Sequence, residues 1–228
     1  MMNSYSMIIA QQQLSEAAIR IENLEFLFLQ HYTKDWSDEE KAALQDPWVR
    51  ELCIQAFIQD LWTSRFRKAP VEYYSWPLDR RKSFLGRVPN ENHLCKSLIV
   101  ENTKYVEKFA TPVYYEKYYC CIIQYSSKLN SEAVSRLFRK HMSHVPRKYF
   151  NFQFAYDCES ITGYPFNAVT PLGMKRRLPV IISNAIVDLD PPFIWLGGGR
   201  EDVKWYVNVA QLVDAFGAIV AAIDGTSG

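Results

Sequence analysis

The chain has 228 residues, of which 48% are hydrophobic and 14% aromatic, a composition that is typical of a globular protein and excludes a disordered one. It carries 26 basic and 25 acidic residues, and the net charge of +1 excludes attraction to nucleic acid by overall charge. No apolar stretch is long enough to span a membrane or form a signal peptide, so we expect a cytoplasmic protein that makes no membrane contact.

The N-terminal part of the chain is predicted to be helical. Apolar residues recur at three- and four-residue steps from Gln11 to about Tyr32, as they do on one face of a helix. The segment "SDEEKAAL" begins with Ser37 and Glu40, a capping-box pair that predicts a short second helix. We interpret residues 1–44 as a helical N-terminal extension.

The rest of the chain mixes helical and strand patterns. A third helix is predicted after Asp46, with Pro47 at its first position. Short runs rich in Ile, Val, Tyr and Cys follow, and they predict strands that do not alternate regularly with helices. This order favours an α+β fold in which helices flank a mixed, barrel-like β-sheet. The predicted main domain covers residues 45–224, and residues 225–228 are predicted to be a tail or the start of a linker.

Strand patterns outnumber helical patterns in this domain. In chain order, the predicted strands are "LCKSLIVEN", "YYCCIIQYS", "LPVIIS", "FIWLGGG", "WYVNV" and "AIVAAI". The further predicted helices are "WPLDRRKSFLG", "NSEAVSRLFRKHM" and "VAQLVDAF".

Common catalytic and metal-binding motifs are missing from the sequence. It contains no GxSxG elbow, no HExxH pair and no P-loop. Its four histidines do not have zinc-site spacing, and its five cysteines form no CxxC pair. We therefore expect no metal and no cofactor, and we interpret the cysteines as buried thiols in a reducing compartment.

Three basic clusters are candidates for contact with RNA. They are "RFRKAP" from Arg65 to Pro70, "DRRK" from Asp79 to Lys82 and "MKRR" from Met174 to Arg177. Charge clusters are common on solvated surfaces, so each cluster taken alone is more simply interpreted as an ordinary exposed face.

Two further features have both a structural and a functional interpretation. Lys96 lies inside a predicted strand, where the simpler interpretation is a lysine that points outward or lies on an edge strand. Three glycines follow the strand "FIWL"; they indicate either a tight turn or a place where the backbone approaches a ligand closely.

The motifs "HLCKSLIVEN", "NAVTPLGMKRRLPVIIS" and "IWLGGG" occur in this order, and together they resemble the YbaK and prolyl-tRNA-synthetase-associated family of aminoacyl-tRNA editing domains. "RFRKAPVEYYSWPLDRR" followed by "HLCKSLIVENT" is similar to the eukaryotic branch of that family. The resemblance covers roughly Arg65 to Ile223 and implies a YbaK-like fold. Members of the family hydrolyse the ester bond between a wrong amino acid and tRNA.

The resemblance also implies roles for individual residues. Lys96 matches the essential lysine of the family's K-[ST]-L motif. Residues 167–171 match its GxxxP loop, whose backbone amides surround the ester carbonyl. The expected catalytic set is Lys96 with the amides of Ala168, Val169 and Thr170. The expected substrate-binding set is Asn167, Pro171, Gly173, Gly198 and Gly199.

The sequence departs from the family at two positions. Asn167 replaces the first glycine of the loop, and asparagine tolerates a left-handed backbone better than other non-glycine residues. Asp202 stands where bacterial relatives tend to have a further glycine. The basic triplet after the loop is expected to contact the tRNA acceptor stem. It consists of Lys175, Arg176 and Arg177.

The expected function is therefore removal of a small, wrongly attached amino acid from tRNA. The preferred substrates are alanyl-tRNA or cysteinyl-tRNA for proline, and the chain is either free-standing or an editing domain attached to prolyl-tRNA synthetase. The alternative is a non-catalytic module that binds tRNA, prolyl-tRNA synthetase or a multi-synthetase complex. The changed first position of the loop and the apolar N-terminal helix motivate this alternative.

Overall fold

The fold is described from a computed structural model, which places residues 4–226. Within this range the side chains of residues 4–10, 22, 23, 25, 26 and 226 are left undescribed. The chain divides into two compact units between Lys41 and Ala42. The division into an extension at residues 1–44 and a main domain at residues 45–224 stays a prediction.

Eight α-helices are found in residues 4–226, and they include every helix that the sequence predicts. The first begins at Ser4, well before the predicted start at Gln11. The predicted caps are present: Ser37 and Glu40 exchange hydrogen bonds, and the Asp46 side chain accepts from the N–H of Trp48. The helices are α1 (Ser4–Tyr32), α2 (Asp38–Ala43), α3 (Pro47–Ile58), α4 (Leu78–Leu85), α5 (Ser131–His141), α6 (Cys158–Thr162), α7 (Asn184–Val187) and α8 (Val209–Phe216).

The same residues contain ten strands in three sheets. The strands are β1 (Arg65–Lys68), β2 (Cys95–Asn102), β3 (Tyr118–Gln124), β4 (Ser127–Leu129), β5 (Phe152–Phe154), β6 (Val180–Ser183), β7 (Phe193–Gly197), β8 (Val203–Asn208), β9 (Ile219–Ala221) and β10 (Asp224–Thr226). The five-stranded sheet has the order β5-β2-β3-β6-β9, with antiparallel pairs at one end and parallel pairs at the other. The order β1-β8-β7 forms an antiparallel sheet, and β10 pairs with β4.

The α+β class and the mixed sheet flanked by helices are confirmed. The placed strands form three separate sheets and no closed barrel. Gly225 and Thr226, predicted as part of a tail, instead pair with β4, while residues 227 and 228 lie outside the described residues. The basic segment from Arg65 is also more than a solvated face, because it forms β1 against β8.

Two buried clusters hold the sheets in place. On the five-stranded sheet, Phe138 of α5 contacts the rings of Tyr119 and Phe152. The second cluster includes Leu94 and Trp195, which form a parallel bridge between the start of β2 and β7. This bridge brings the beginning of β2 next to the middle of β7. All five cysteines are free thiols and four of them are buried; no placed helix is long and apolar enough to cross a membrane.

A cluster of four charged side chains connects α3, β1 and the turn that joins β7 to β8. Lys68 of β1 lies 2.7 Å from Asp46 and also bonds Asp202. Arg200 lies 3.1 Å from Asp46 and 2.9 Å from Asp202. Asp202 therefore holds its own turn against β1. The hydrogen bond from Lys68 holds the pKa of Asp46 below its usual value.

Replacing Asp46 by Asn tests this cluster, because asparagine keeps the N-cap of α3 and removes the charge. We expect Asp46→Asn to lower the free energy of unfolding by about 0.5–1 kcal/mol at pH 7. A carboxylate with a lowered pKa stabilises the fold above its usual pKa and loses this effect as the pH falls through the lowered value. The difference from the wild type should therefore shrink towards about pH 3.

Urea denaturation at both pH values measures the effect. Asp188→Asn is the control, because Asp188 is exposed and takes part in no ion pair found in residues 4–226. If Asp46→Asn lowers the free energy of unfolding as much at low pH as at pH 7, the stabilisation by Asp46 does not come from its charge.

Candidate active site

A cavity of about 1000 Å³ opens where β2, β5 and the end of β7 meet the loop before β6. The lining brings together residues that are far apart in the sequence. They are Lys96, Ser97, Leu98, Ile99, Tyr125, Gln153, Phe154, Ala155, Tyr156, Asp157, Cys158, Glu159, Phe166, Asn167, Val169 and Gly197. Three of the residues predicted for the site, namely Lys96, Asn167 and Val169, are thus placed around one cavity.

Lys96 is half-buried on β2, opposite Ile123 of β3, and its side chain lines the cavity. Its Nζ donates hydrogen bonds to the carbonyls of Tyr125 (3.3 Å) and Ser127 (3.1 Å). We find no carboxylate paired with it in residues 4–226, and burial lowers its pKa. An ammonium group has three N–H donors, so one remains for a ligand.

The loop at residues 167–171 has the backbone shape that its sequence predicts. Asn167 adopts a left-handed conformation with φ of 68°. The N–H of Ala168, however, donates to the carbonyl of Pro165 at 3.1 Å. The Ala168 N–H is therefore already hydrogen-bonded, contrary to the expectation that the amides of Ala168, Val169 and Thr170 all face the ester carbonyl oxygen. The amides of Val169 and Thr170 have no acceptor in the placed part of the chain, and Val169 lines the cavity.

All three glycines predicted to bind substrate lie outside the cavity lining. A Cβ on Gly198 would collide with Val203, and one on Gly199 with Trp48 and Tyr164. Gly173 is exposed, and a Cβ there would come within 2.5 Å of Gln55 Oε1. These three glycines permit close packing of the scaffold. Pro171, also predicted to bind substrate, is buried and likewise lies outside the lining.

Gly197, the first glycine of the triplet, was not among the residues predicted to bind substrate, yet it lines the cavity. A Cβ on Gly197 would lie 3.0 Å from the carbonyl oxygens of Ala168 and Val169. Two residues on, the N–H of Gly199 donates to the Ala168 carbonyl at 2.9 Å. The glycine-rich turn is thus the surface on which the loop rests.

The basic triplet is exposed and lies outside the cavity lining. Arg176 lies 3.8 Å from the Glu116 carboxylate, and Arg177 donates to the carbonyl of Ala215 at 3.1 Å. The contact of Lys175, Arg176 and Arg177 with tRNA therefore stays a prediction.

Three exposed aromatic side chains surround the cavity opening, and we call them the aromatic rim: Phe154, Tyr156 and Phe166. Tyr156 is fully exposed and Phe166 is 80% exposed. The rim also carries two carboxylates. One of them, Asp157, caps α6 by accepting a hydrogen bond from the N–H of Ser160. The other, Glu159, is exposed.

Sequence reasoning missed Lys204 and Tyr74, which lie behind the loop. Lys204 on β8 is only 3% exposed, and its Nζ donates to the Tyr74 hydroxyl (2.6 Å) and to the Glu201 carbonyl (2.8 Å). The Tyr74 hydroxyl in turn bonds the carbonyl of Asn167. Burial lowers the pKa of Lys204 to about 7. The signal was a lysine inside an apolar strand, the same feature that drew attention to Lys96.

The side chains that line the cavity favour electrostatic catalysis over covalent catalysis. They include no histidine, and their one thiol, Cys158, has a pKa that burial raises. A thiol with a raised pKa is a poor nucleophile, because the thiolate is the reactive form. The cavity does offer an ammonium group and backbone amides, which can stabilise negative charge on an oxygen.

Solved structures share this fold at low sequence identity. One is described as a "putative trans-editing enzyme for prolyl tRNA synthetase"; it has 16% identity and a TM-score of 0.61, over 80% of this chain and 99% of that one. A protein from work on epitope grafting onto scaffolds has 16% identity and a TM-score of 0.59, with the same coverage. A hypothetical protein has 21% identity and a TM-score of 0.56, over 76% of this chain and 99% of that one.

At these identities the likeness shows the fold alone, and it confirms the YbaK-like fold predicted from the sequence. No family model and no curated protein matches the sequence.

The left-handed backbone of Asn167 can be tested without any activity measurement. Glycine adopts this conformation freely, whereas alanine is strained in it, so we expect Asn167→Gly to be about 1 kcal/mol more stable than Asn167→Ala. Lys175 is the control position, because it is exposed and outside the left-handed region, and there alanine should be the more stable of the two. Urea denaturation gives both differences, and the same order at both positions would contradict the predicted strain.

Proposed function

We propose that the chain is an aminoacyl-tRNA deacylase that removes a wrongly attached amino acid from tRNA. The observation that carries the proposal is the cavity itself, where Lys96 on β2 faces the same space as Asn167 and Val169 of the loop. The YbaK-like fold and the sequence motifs support it. The cavity is also large enough for an amino acid together with the terminal nucleotide.

The proposed reaction is hydrolysis of the ester that joins the amino acid to the terminal ribose. Water attacks the ester carbonyl carbon, and negative charge develops on the carbonyl oxygen. The free amides of Val169 and Thr170 are the proposed donors to that oxygen; one such donor typically contributes about 10²–10³ in rate. The ester C–O bond then breaks, the ribose oxygen takes up a proton, and free amino acid and tRNA are released. Lys96 is proposed to bind a phosphate or the developing charge with its remaining N–H.

The proposed substrates are alanyl-tRNA or cysteinyl-tRNA for proline. A synthetase pocket discriminates by only about 1–3 kcal/mol per methylene, so a second site that admits smaller amino acids improves accuracy. We further propose that the chain belongs to the eukaryotic branch of the family and acts in the cytoplasm, either free or attached to prolyl-tRNA synthetase. Lys175, Arg176 and Arg177 are its proposed contacts with the acceptor stem.

The first test is release of amino acid from alanyl-, cysteinyl-, seryl- and prolyl-tRNA for proline. We expect rapid loss of one small amino acid, and Lys96→Ala should slow this reaction by about 100-fold or more because it removes the one ammonium group among the described residues that line the cavity. Lys128→Ala is the matched control, since Lys128 is an exposed lysine on the neighbouring strand β4 and lies outside the cavity.

Full activity of Lys96→Ala would exclude this lysine from the reaction. Stability of all four esters with the wild-type protein would exclude the deacylase and favour the alternative function.

The aromatic rim is proposed to stack on the unpaired nucleotides at the tRNA 3′ end. Stacking on an aromatic side chain contributes about 1–3 kcal/mol per base, so Tyr156→Ala or Phe166→Ala should raise KM for aminoacyl-tRNA by about 5- to 100-fold with little change in kcat. Tyr114→Ala is the control, because Tyr114 is exposed but stacks on His141 away from the cavity. An unchanged KM in both rim variants would argue against stacking.

The alternative is a non-catalytic module that binds prolyl-tRNA synthetase, a multi-synthetase complex or tRNA. One observation favours it: Leu14, Leu24 and Leu27 of α1 are all more than half exposed. An exposed apolar helix face is typical of a docking surface. Binding of tRNA or a synthetase without any turnover would support this function.

A further inference from the structure

Lys204 occupies an unusual position for a lysine. It lies on β8, the strand between β1 and β7. Its Nζ is 4.8 Å from the centre of the Tyr73 ring and 4.2 Å from the centre of the Tyr74 ring. We find no carboxylate paired with it in residues 4–226. Lysine is rarely buried without an ionic partner unless its amine has another task.

The direction of the hydrogen bonds shows what the amine does. A carbonyl oxygen can only accept, so the Tyr74 hydroxyl donates to the Asn167 carbonyl. The hydroxyl is then left to accept from Lys204 Nζ, at 2.6 Å. This orders three groups in one chain, from the amine through the hydroxyl to the first carbonyl of the loop.

The carbonyl at the end of this chain controls the shape of the loop. Asn167 has a positive φ, and its carbonyl belongs to the peptide group whose N–H is that of Ala168. A planar peptide turns as one body, so fixing the oxygen fixes the N–H as well. Fixing this peptide group also fixes the direction in which the chain continues to Val169, which lines the cavity.

The amine also holds the turn on which the loop rests. Its second hydrogen bond goes to the Glu201 carbonyl at 2.8 Å. Gly199, in the same turn, donates to Ala168 at 2.9 Å. Lys204 is therefore bonded to the loop on one side, through Tyr74, and directly to the supporting turn on the other.

We infer that Lys204 and Tyr74 are positioning residues that hold the loop at residues 167–171 in the conformation that the proposed reaction needs. The inference rests on the proposed function for its effect on rate, but its effect on the loop is independent of that function. Neither residue lines the cavity; their interactions reach it through the loop and, from Tyr74, through Tyr125, which lines it.

The charge of Lys204 is not required for this role. A neutral amine has two N–H groups, which match the two acceptors, Tyr74 and Glu201. Three charged groups act on the amine: the Glu201 and Asp202 carboxylates favour its positive charge, and the Arg81 guanidinium, which donates to the Tyr74 carbonyl, disfavours it. Either protonation state can therefore hold the loop.

Tyr74→Phe tests the inference most directly, because it removes only the hydroxyl. Tyr73→Phe is the matched control, since the Tyr73 hydroxyl has no hydrogen bond in the described part of the chain. Tyr74→Phe should lower kcat for the most rapidly hydrolysed aminoacyl-tRNA by about 10- to 100-fold, with KM changed by less than about twofold. Tyr73→Phe should leave both values near those of the wild type.

Lys204→Met provides the second test. Methionine has nearly the same length and is uncharged, and it should lower kcat to a similar degree. Because the two residues act as one chain, the double variant should be no slower than the slower single variant. If the fold-decrease in kcat of the double variant equals the product of the two single decreases, the inference is overturned.

A readout that does not need activity separates this inference from the proposed function. We expect amide hydrogen exchange in residues 166–172 to be about tenfold faster in Tyr74→Phe, and unchanged in Tyr73→Phe. Unchanged exchange in Tyr74→Phe overturns the inference even if the enzyme is active. If the wild type hydrolyses none of the esters, the proposed function fails, and the exchange measurement still decides whether Lys204 and Tyr74 hold the loop.

Discussion

The hydrogen bond from the N–H of Gly199 to the carbonyl of Ala168 is the contact on which the candidate site depends. It joins the turn after β7 to the loop before β6, two segments that belong to different sheets. Gly197 allows the two backbones to approach, since a side chain there would press on the loop carbonyls. The ion pairs of Arg200 and Asp202 hold the turn, and Lys204 bonds the turn directly and the loop through Tyr74.

Periodicity and caps were enough to predict most of the helices and the long strands. The helix start at Asp46 and Pro47 and the apolar runs around Cys95 and Cys120 are local signals, and the structure has a helix or a strand at each of them. The left-handed backbone of Asn167 also follows from local chemistry. The short strands β1, β4, β5 and β10 have little pattern of their own, because three or four residues form a strand only when a partner is already in place.

The candidate site was only partly predictable for the same reason. Lys96 and the loop were found because both belong to short motifs. The bond between Lys204 and Tyr74 joins residues 130 positions apart, so it depends on how β8 packs beside the segment that carries Tyr74. The roles of the three glycines were also hidden. Only tertiary contacts show that Gly197 lines the cavity, whereas Gly199 bonds the loop through its N–H and packs on Trp48 and Tyr164.

The size of the cavity has a consequence for how the amino-acid selectivity of the proposed deacylase can evolve. A space of about 1000 Å³ far exceeds the side chain of any amino acid, so total volume cannot reject a larger one. Exclusion must come from the few atoms around Val169, while the aromatic rim lies at the opening. Substitutions near the loop can then change which amino acid is accepted without altering the rim. Separate parts of one cavity are free to diversify independently, so related proteins with different preferences can share one scaffold.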